Sequence, residues 1–280
     1  MNFRVRAVLA GLAIPFVTIA AAVLLASLLV WLSPGYGIDE READPTISDQ
    51  ALARLTANRR GGPFTVVRKM LHGDLGYSMA LDAPVADLIA ERGAVTLGSV
   101  SGGLAMAWSG AVLGVLLVFW LAPCARLLPD LLAAVLLAVP TALVSVAAFL
   151  AGAPVSAAIA LALFPRLYLF ARNILRSMEN QPHVLHARAH GLSPRRVFEH
   201  ALVRPALPEL AALAAVSIRM ALGAVIPAEA ICDSPGLGQL AWKATLGRDL
   251  ALLVPLTLLM TGITVFANTL SGISTGGRAG

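Results

Sequence analysis

Residues 179–208 read ENQPHVLHARAHGLSPRRVFEHALVRPALP, a polar, arginine-rich island inside a chain otherwise almost entirely compatible with lipid. Pro182 suits the first turn of a helix through His183 to His190, because its missing N–H would have no intrahelical partner there. Gly191 fits the left-handed position that closes such a helix. Ser193 and Pro194 read as a fresh N-cap and first-turn proline, opening a second helix that is expected to end near Arg204 because Pro205 follows. The island is therefore predicted to be a compact elbow and a surface for docking rather than catalysis.

Outward from the island, the composition is that of a membrane protein. Of 280 residues, 58% are hydrophobic and 13% charged, with mean hydropathy +0.79. The apolar share is above, and the charged share below, what soluble domains carry. The formal charge of +5 rests on arginines clustered between apolar runs. No basic groove with interleaved aromatics accompanies them, which argues against nucleic acid as a partner and makes the charge a topology signal.

Uncharged runs give the architecture. The run 7–32 holds 26 residues, roughly 39 Å as helix, against a hydrocarbon core of about 30 Å. Arg4 and Arg6 ahead of it resemble the start of a signal peptide, but the apolar part is too long for a signal core and is expected to be retained. The run 94–122 is a second span. The run 131–165, 35 residues, is too long for one crossing. Gly152-Ala153-Pro154 divides it into spans 131–151 and 155–175, with Arg166 and Arg172 snorkelling from the second. Spans 207–228 and 250–274 complete six transmembrane helices in one all-α domain over residues 1–280, with loops 33–93 and 229–249 on one side and the elbow, 179–206, on the other.

Between Arg166 and Arg204 there are seven Arg against two acids, whereas 33–93 carries nine acids against seven Lys and Arg. The positive-inside rule places the elbow and both termini in the cytoplasm. Cys124 and Cys232 then fall on opposite faces, so no disulfide joins them. In the long outer loop, 47–55 and 64–71 have the pattern of short amphipathic helices, and 85–92 is expected to lie along the membrane surface before the second span.

Three separated stretches carry a resemblance. His186-Ala187-Arg188-Ala189-His190-Gly191-Leu192-Ser193, followed by Arg195-Arg196-Val197 and His200-Ala201-Leu202, resembles the coupling loop of ABC importer permeases, and more narrowly of the dipeptide, oligopeptide and nickel branch. Gly73-Asp74-Leu75-Gly76-Tyr77-Ser78, with Pro84-Val85 and Ile89-Ala90-Glu91-Arg92, agrees ahead of the second span. Glu229, Ser234-Pro235-Gly236-Leu237-Gly238 and Arg248-Asp249 agree ahead of the sixth. The segment Ser33-Pro34-Gly35-Tyr36-Gly37-Ile38 departs from the family's acidic Pro-Gly-Asp pattern, which leaves the solute class open.

The resemblance implies a type I importer permease fold in a bacterial or archaeal cytoplasmic membrane. It implies four partners: a second homologous permease, two ABC ATPases and an extracytoplasmic solute-binding protein. ATP and Mg would be bound by the ATPases, with no cofactor in this chain. His186, Ala187, Arg188, Ala189, Gly191, Leu192, Ser193, Arg195 and Arg196 would form the ATPase-coupling surface of an alternating-access machine, and Pro235, Gly236, Leu237 and Gly238 an outer gate where the binding protein docks. The residues agree that energy comes from outside: there is no phosphate-binding loop, and the only lysines, Lys69 and Lys243, lie in no glycine cradle.

Arg219 lies roughly 16 Å beyond Pro208, near the middle of its span, where a charge faces a protein interior or a watery path. Two readings stay open: it lines the translocation path and attracts an anionic group such as a peptide carboxylate, or it pairs with a polar residue of a neighbouring span or partner permease. Glu229 closes the outer end of the same span and is placed on the path with it. His183, His186 and His190 share a helical spacing, but no acid or cysteine sits among them, and a solvated face explains them without a metal. A secondary transporter would need a coupling-ion site, usually an intramembrane carboxylate, and the spans hold no central Asp or Glu. An enzyme would need a convergent catalytic set, and the spans offer only scattered Ser and Thr.

Overall fold

A computed structural model describes residues 3–32, 68, 73–78, 80–120 and 127–276. The expected outer-loop helices 47–55 and 64–71, the segment 33–38 and Cys124 lie outside the described residues, Arg68 excepted. Nine helices follow in order among them: α1 (Phe3–Trp31), α2 (Val85–Trp120), α3 (Leu127–Ala138), α4 (Thr141–Leu150), α5 (Val155–Glu179), α6 (Pro182–Ala189), α7 (Pro194–Ile231), α8 (Leu237–Leu246) and α9 (Leu250–Gly276). A two-residue antiparallel hairpin, β1 (Tyr77–Ser78) with β2 (Ala83–Pro84), precedes α2.

Four helical segments are long and apolar enough to cross a membrane: α2, α5, α7 and Leu250–Thr269 of α9. A fifth crossing results if the bent pair α3 and α4 is one span. In α1 the apolar stretch among the described side chains is Phe16–Leu29. Two expectations change. The stretch 131–151 is not one straight span, because α3 and α4 meet at 103°. Pro140 sits at the break; it has no N–H to donate to the preceding turn and pushes Val139 out of the helical region. Residues 85–92, expected to lie along the surface ahead of the second span, are continuous with it as the first turns of α2, with Asp87 favourably placed at its positive end.

The chain divides into two compact units, one made of Met1–Val95 with Pro235–Val265, the other of Thr96–Ser234 with Phe266–Gly280. In the first, Val85, Leu88, Leu237, Leu240, Ala244, Leu252 and Leu256 form the core. Beside it the hairpin is fastened to the start of α9. Asp249 accepts hydrogen bonds from the Ser78 hydroxyl at 2.7 Å and the Ala80 amide at 3.2 Å, while its other oxygen caps α9 at the Leu252 amide. Arg248, immediately before, takes a positive φ of 50° to make that turn.

In the second unit, α2 packs on α5 through small residues. A Cβ added at Gly103 would lie 2.7 Å from Ile159 Cγ2, at Gly110 3.1 Å from Phe164 Cδ2, and at Gly114 2.8 Å from Tyr168 Cδ2. Ala107 and Ala111 continue the same stripe, buried. Small side chains are what allow helices in a membrane to approach closely enough for dispersion to hold them. The Tyr168 ring is wholly buried, and its hydroxyl donates to Asp130 Oδ1 on α3. Arg172, one turn on, reaches Asp130 Oδ2 at 2.8 Å. Arg172 therefore does not snorkel away, since a carboxylate inside the unit is a better partner for a membrane charge.

Candidate functional site

The elbow is held from beneath and bare on top. Val184, fully buried, anchors α6, whereas His186, Arg188, Ala189 and His190 are exposed and Ala187 is half-buried. Gly191 has φ +72° with open space around it, so its backbone conformation, not crowding, calls for glycine. The amide of Gly191 bonds to the Arg188 carbonyl and that of Leu192 to the Ala187 carbonyl, the paired bonds that close a helix through a left-handed residue. Ser193 has the extended backbone of an N-cap, but its hydroxyl makes no capping bond. Leu192, Arg195 and Arg196 complete the exposed surface, Arg195 paired with Glu199 one turn on at 3.0 Å. Behind this surface lies a cleft of about 440 Å³ whose walls include Arg188, Arg176, Glu179 and Trp120. Phe198 closes it, packing edge-on against Phe119 and Trp120 at 5.1 and 6.1 Å.

The second helix of the elbow does not end near Arg204. It runs into the following span as α7, 38 residues from Pro194 to Ile231, through a widened turn at Val197–Val203. Pro205 is tolerated for an identifiable reason. It has no N–H to offer the Ala201 carbonyl four residues back, and that carbonyl is 2.9 Å from His183 Nε2 on α6. A carbonyl only accepts, so Nε2 carries the proton. His183 thus replaces a hydrogen bond that proline removes, and ties the two arms of the elbow together.

Within the same unit, Arg219 projects from an exposed position on α7 and donates to Asn268 Oδ1 of α9 at 3.4 Å, one long bond for a group with five donors. Two residues earlier, the Ser217 hydroxyl accepts from the Trp108 indole of α2. Glu229, expected on the path, is instead fully enclosed and accepts from the Thr96 hydroxyl at 2.8 Å, joining α7 to α2.

The gate motif also differs from a loop. In the first unit, Pro235 is exposed, but Gly236 precedes a helix, and Leu237 and Gly238 are its buried first turn, with Leu237 in the core. Gln239, buried beside them, accepts from Arg92 at 3.1 Å. Sequence reading missed Asp130, Tyr168, Asn268 and the joining of Ser78 to Asp249. The one available signal was Arg172 itself, a charge in an apolar helix that demanded a partner.

Residues 94–276, well over half of the chain, match the family described as binding-protein-dependent transport system inner membrane component. The metal-staphylopine import system permease protein CntB of Staphylococcus aureus strain NCTC 8325 / PS 47 is 34% identical over 108 residues, and that of strain Mu50 / ATCC 700699 is 33% identical over the same length. Each alignment covers 38% of this chain and 34% of the relative, so the matched part spans about a third of these relatives' length. With its apolar helices and a family match over residues 94–276, this chain belongs to the binding-protein-dependent transport system inner membrane components, as a multi-pass protein of the cytoplasmic membrane.

Proposed function

We propose that this chain forms half of the translocation path of an ATP-driven importer, with six spans and both termini on the elbow's side, and that it works with a second permease, two ATPases and a solute-binding protein. The observation that carries this reading is the elbow, an exposed cationic surface that stands on a buried anchor and continues without a break into a membrane-spanning helix. Closure of the ATPases moves α6, and because α7 begins inside the elbow, its span tilts and exchanges access between the two faces. Ala187 and Ala189 permit close approach, and Arg188, Arg195 and Arg196 meet acids on the ATPase surface.

Arg219 selects for an anionic group on the solute. Asn268 takes one donor and leaves the fork able to bind a carboxylate. The solute is a small peptide-like compound or a metal-bound one, as in the metal-staphylopine for which the staphylococcal relatives are named. The test is purification of the tagged chain with its neighbours, followed by ATPase measurement in nanodiscs. A stoichiometric ATPase, stimulated by a loaded binding protein and uncoupled by Gly191→Ala, is expected. Transport by the isolated chain would overturn the reading. For Arg219→Gln, affinity unchanged across carboxylate-bearing solutes removes its selecting role.

A further inference from the structure

His186 and His190 stand one turn apart on the exposed side of α6, with their Nε2 atoms 2.9 Å apart and ring centroids at 4.2 Å. With the ring proton of each on Nδ1, both Nε2 atoms present a lone pair to the space they share. Two nitrogens bound to one ion at about 2.0–2.1 Å lie about 2.8–3.0 Å apart when the angle at the metal is 90°, and about 3.3–3.4 Å apart in a tetrahedral site. The observed spacing already matches the first and needs only a small ring rotation for the second. His183 is not available to join them, because its Nε2 is committed to the Ala201 carbonyl.

We propose that His186 and His190 form a two-histidine site for a divalent transition-metal ion, nickel, copper or zinc, and that the bound ion acts as a brake by occupying the docking face of the elbow. Imidazole is a ligand suited to these ions, and two histidines at i and i+4 on one helical face are a known metal-holding spacing. Among the described residues no group of three or more His, Cys, Asp and Glu is placed to hold a metal. The ion therefore keeps open positions filled by water, as in exchangeable sites rather than closed structural ones. The braking half rests on the coupling role proposed for the elbow; the binding half does not.

Binding is measured on the full chain in nanodiscs, carried on a tag without histidine, by calorimetric titration with Ni²⁺ and Zn²⁺, and by electron paramagnetic resonance with Cu²⁺. One saturable ion per chain and coupling to two nitrogens are expected. His186→Ala and His190→Ala should each weaken binding by at least roughly tenfold, since even outer-shell losses cost that much. His200→Ala should leave it unchanged. His186, His190 and His200 are all exposed, so misfolding does not confuse the comparison. Absence of saturable binding, or equal binding by the His186 and His190 variants and the parent, overturns the site. In the assembled complex, Ni²⁺ in the binding range should lower stimulated ATPase activity in the parent but leave the ratio with and without Ni²⁺ near one in His190→Ala. Binding without that difference overturns the brake, and a chain that binds Ni²⁺ but recruits no ATPase refutes the importer reading alone.

Discussion

His183→Ala and Pro205→Ala together test whether one side chain substitutes for a missing backbone donor. In the parent, His183 Nε2 donates to the Ala201 carbonyl at 2.9 Å. Removing it forfeits a hydrogen bond worth about 0.5–1.5 kcal/mol net, and more, about 1–3 kcal/mol, if the carbonyl stays buried without a donor. Pro205→Ala returns an N–H at the position from which an α-helix would serve that carbonyl. In this background His183→Ala should cost only a few tenths of a kcal/mol. The interaction energy of the cycle is then about 1 kcal/mol, roughly a fivefold change in a local opening equilibrium. Amide hydrogen exchange across 183–190 reads it: protection should fall about fivefold in His183→Ala and barely in the double variant. Equal losses in both backgrounds would show that the histidine is not compensating for the proline, and the account of why α7 continues past Pro205 would fail.

Gly103→Ala should lower stability in detergent unfolding by about 0.5–2 kcal/mol, because crowding against buried Ile159 outweighs the helix-propensity gain. Gly98→Ala on the same helix, with no atom within 4 Å of the new methyl, should lose nothing. Asp130→Asn should cost about 1.5–3 kcal/mol by weakening bonds to Tyr168 and Arg172, and Asp130→Leu combined with Arg172→Met should recover part of that, since no unpaired charge remains. Burial pushes the Cys232 thiol up. With Cys124→Ser in place, maleimide should therefore label Cys232 more slowly than an exposed thiol at neutral pH, and the rate should keep rising beyond the ordinary thiol range.

What the sequence disclosed was local. Gly191 and Gly152 take positive φ of 72° and 64°, as a helix-closing glycine and a break before Pro154 require. These positions depend only on neighbours within a turn or two. The failures are tertiary. Pro205 looks like a terminator until His183, from another helix, supplies its carbonyl with a donor. Pro140 lay inside an apolar run, and only the packing around it decides between a tolerated kink and a 103° corner. Glu229 beside a membrane boundary gives no local sign that Thr96, 133 residues away, donates a hydrogen bond to it. Ser78 and Asp249, 171 residues apart, sit in two motifs that were each recognised but whose meeting no periodicity encodes.

The uninterrupted run of α7 has a mechanical consequence. Thirty-eight residues amount to a rod of about 57 Å, so a rotation of about 5° at one end sweeps the other through about 5 Å. Under the coupling role proposed for the elbow, no slack segment separates the docking surface from the span, and motion at Pro194 is amplified by length. Stiffness in the turn around Val197–Val203, rather than affinity at the docking surface, would then set how much of each stroke is delivered.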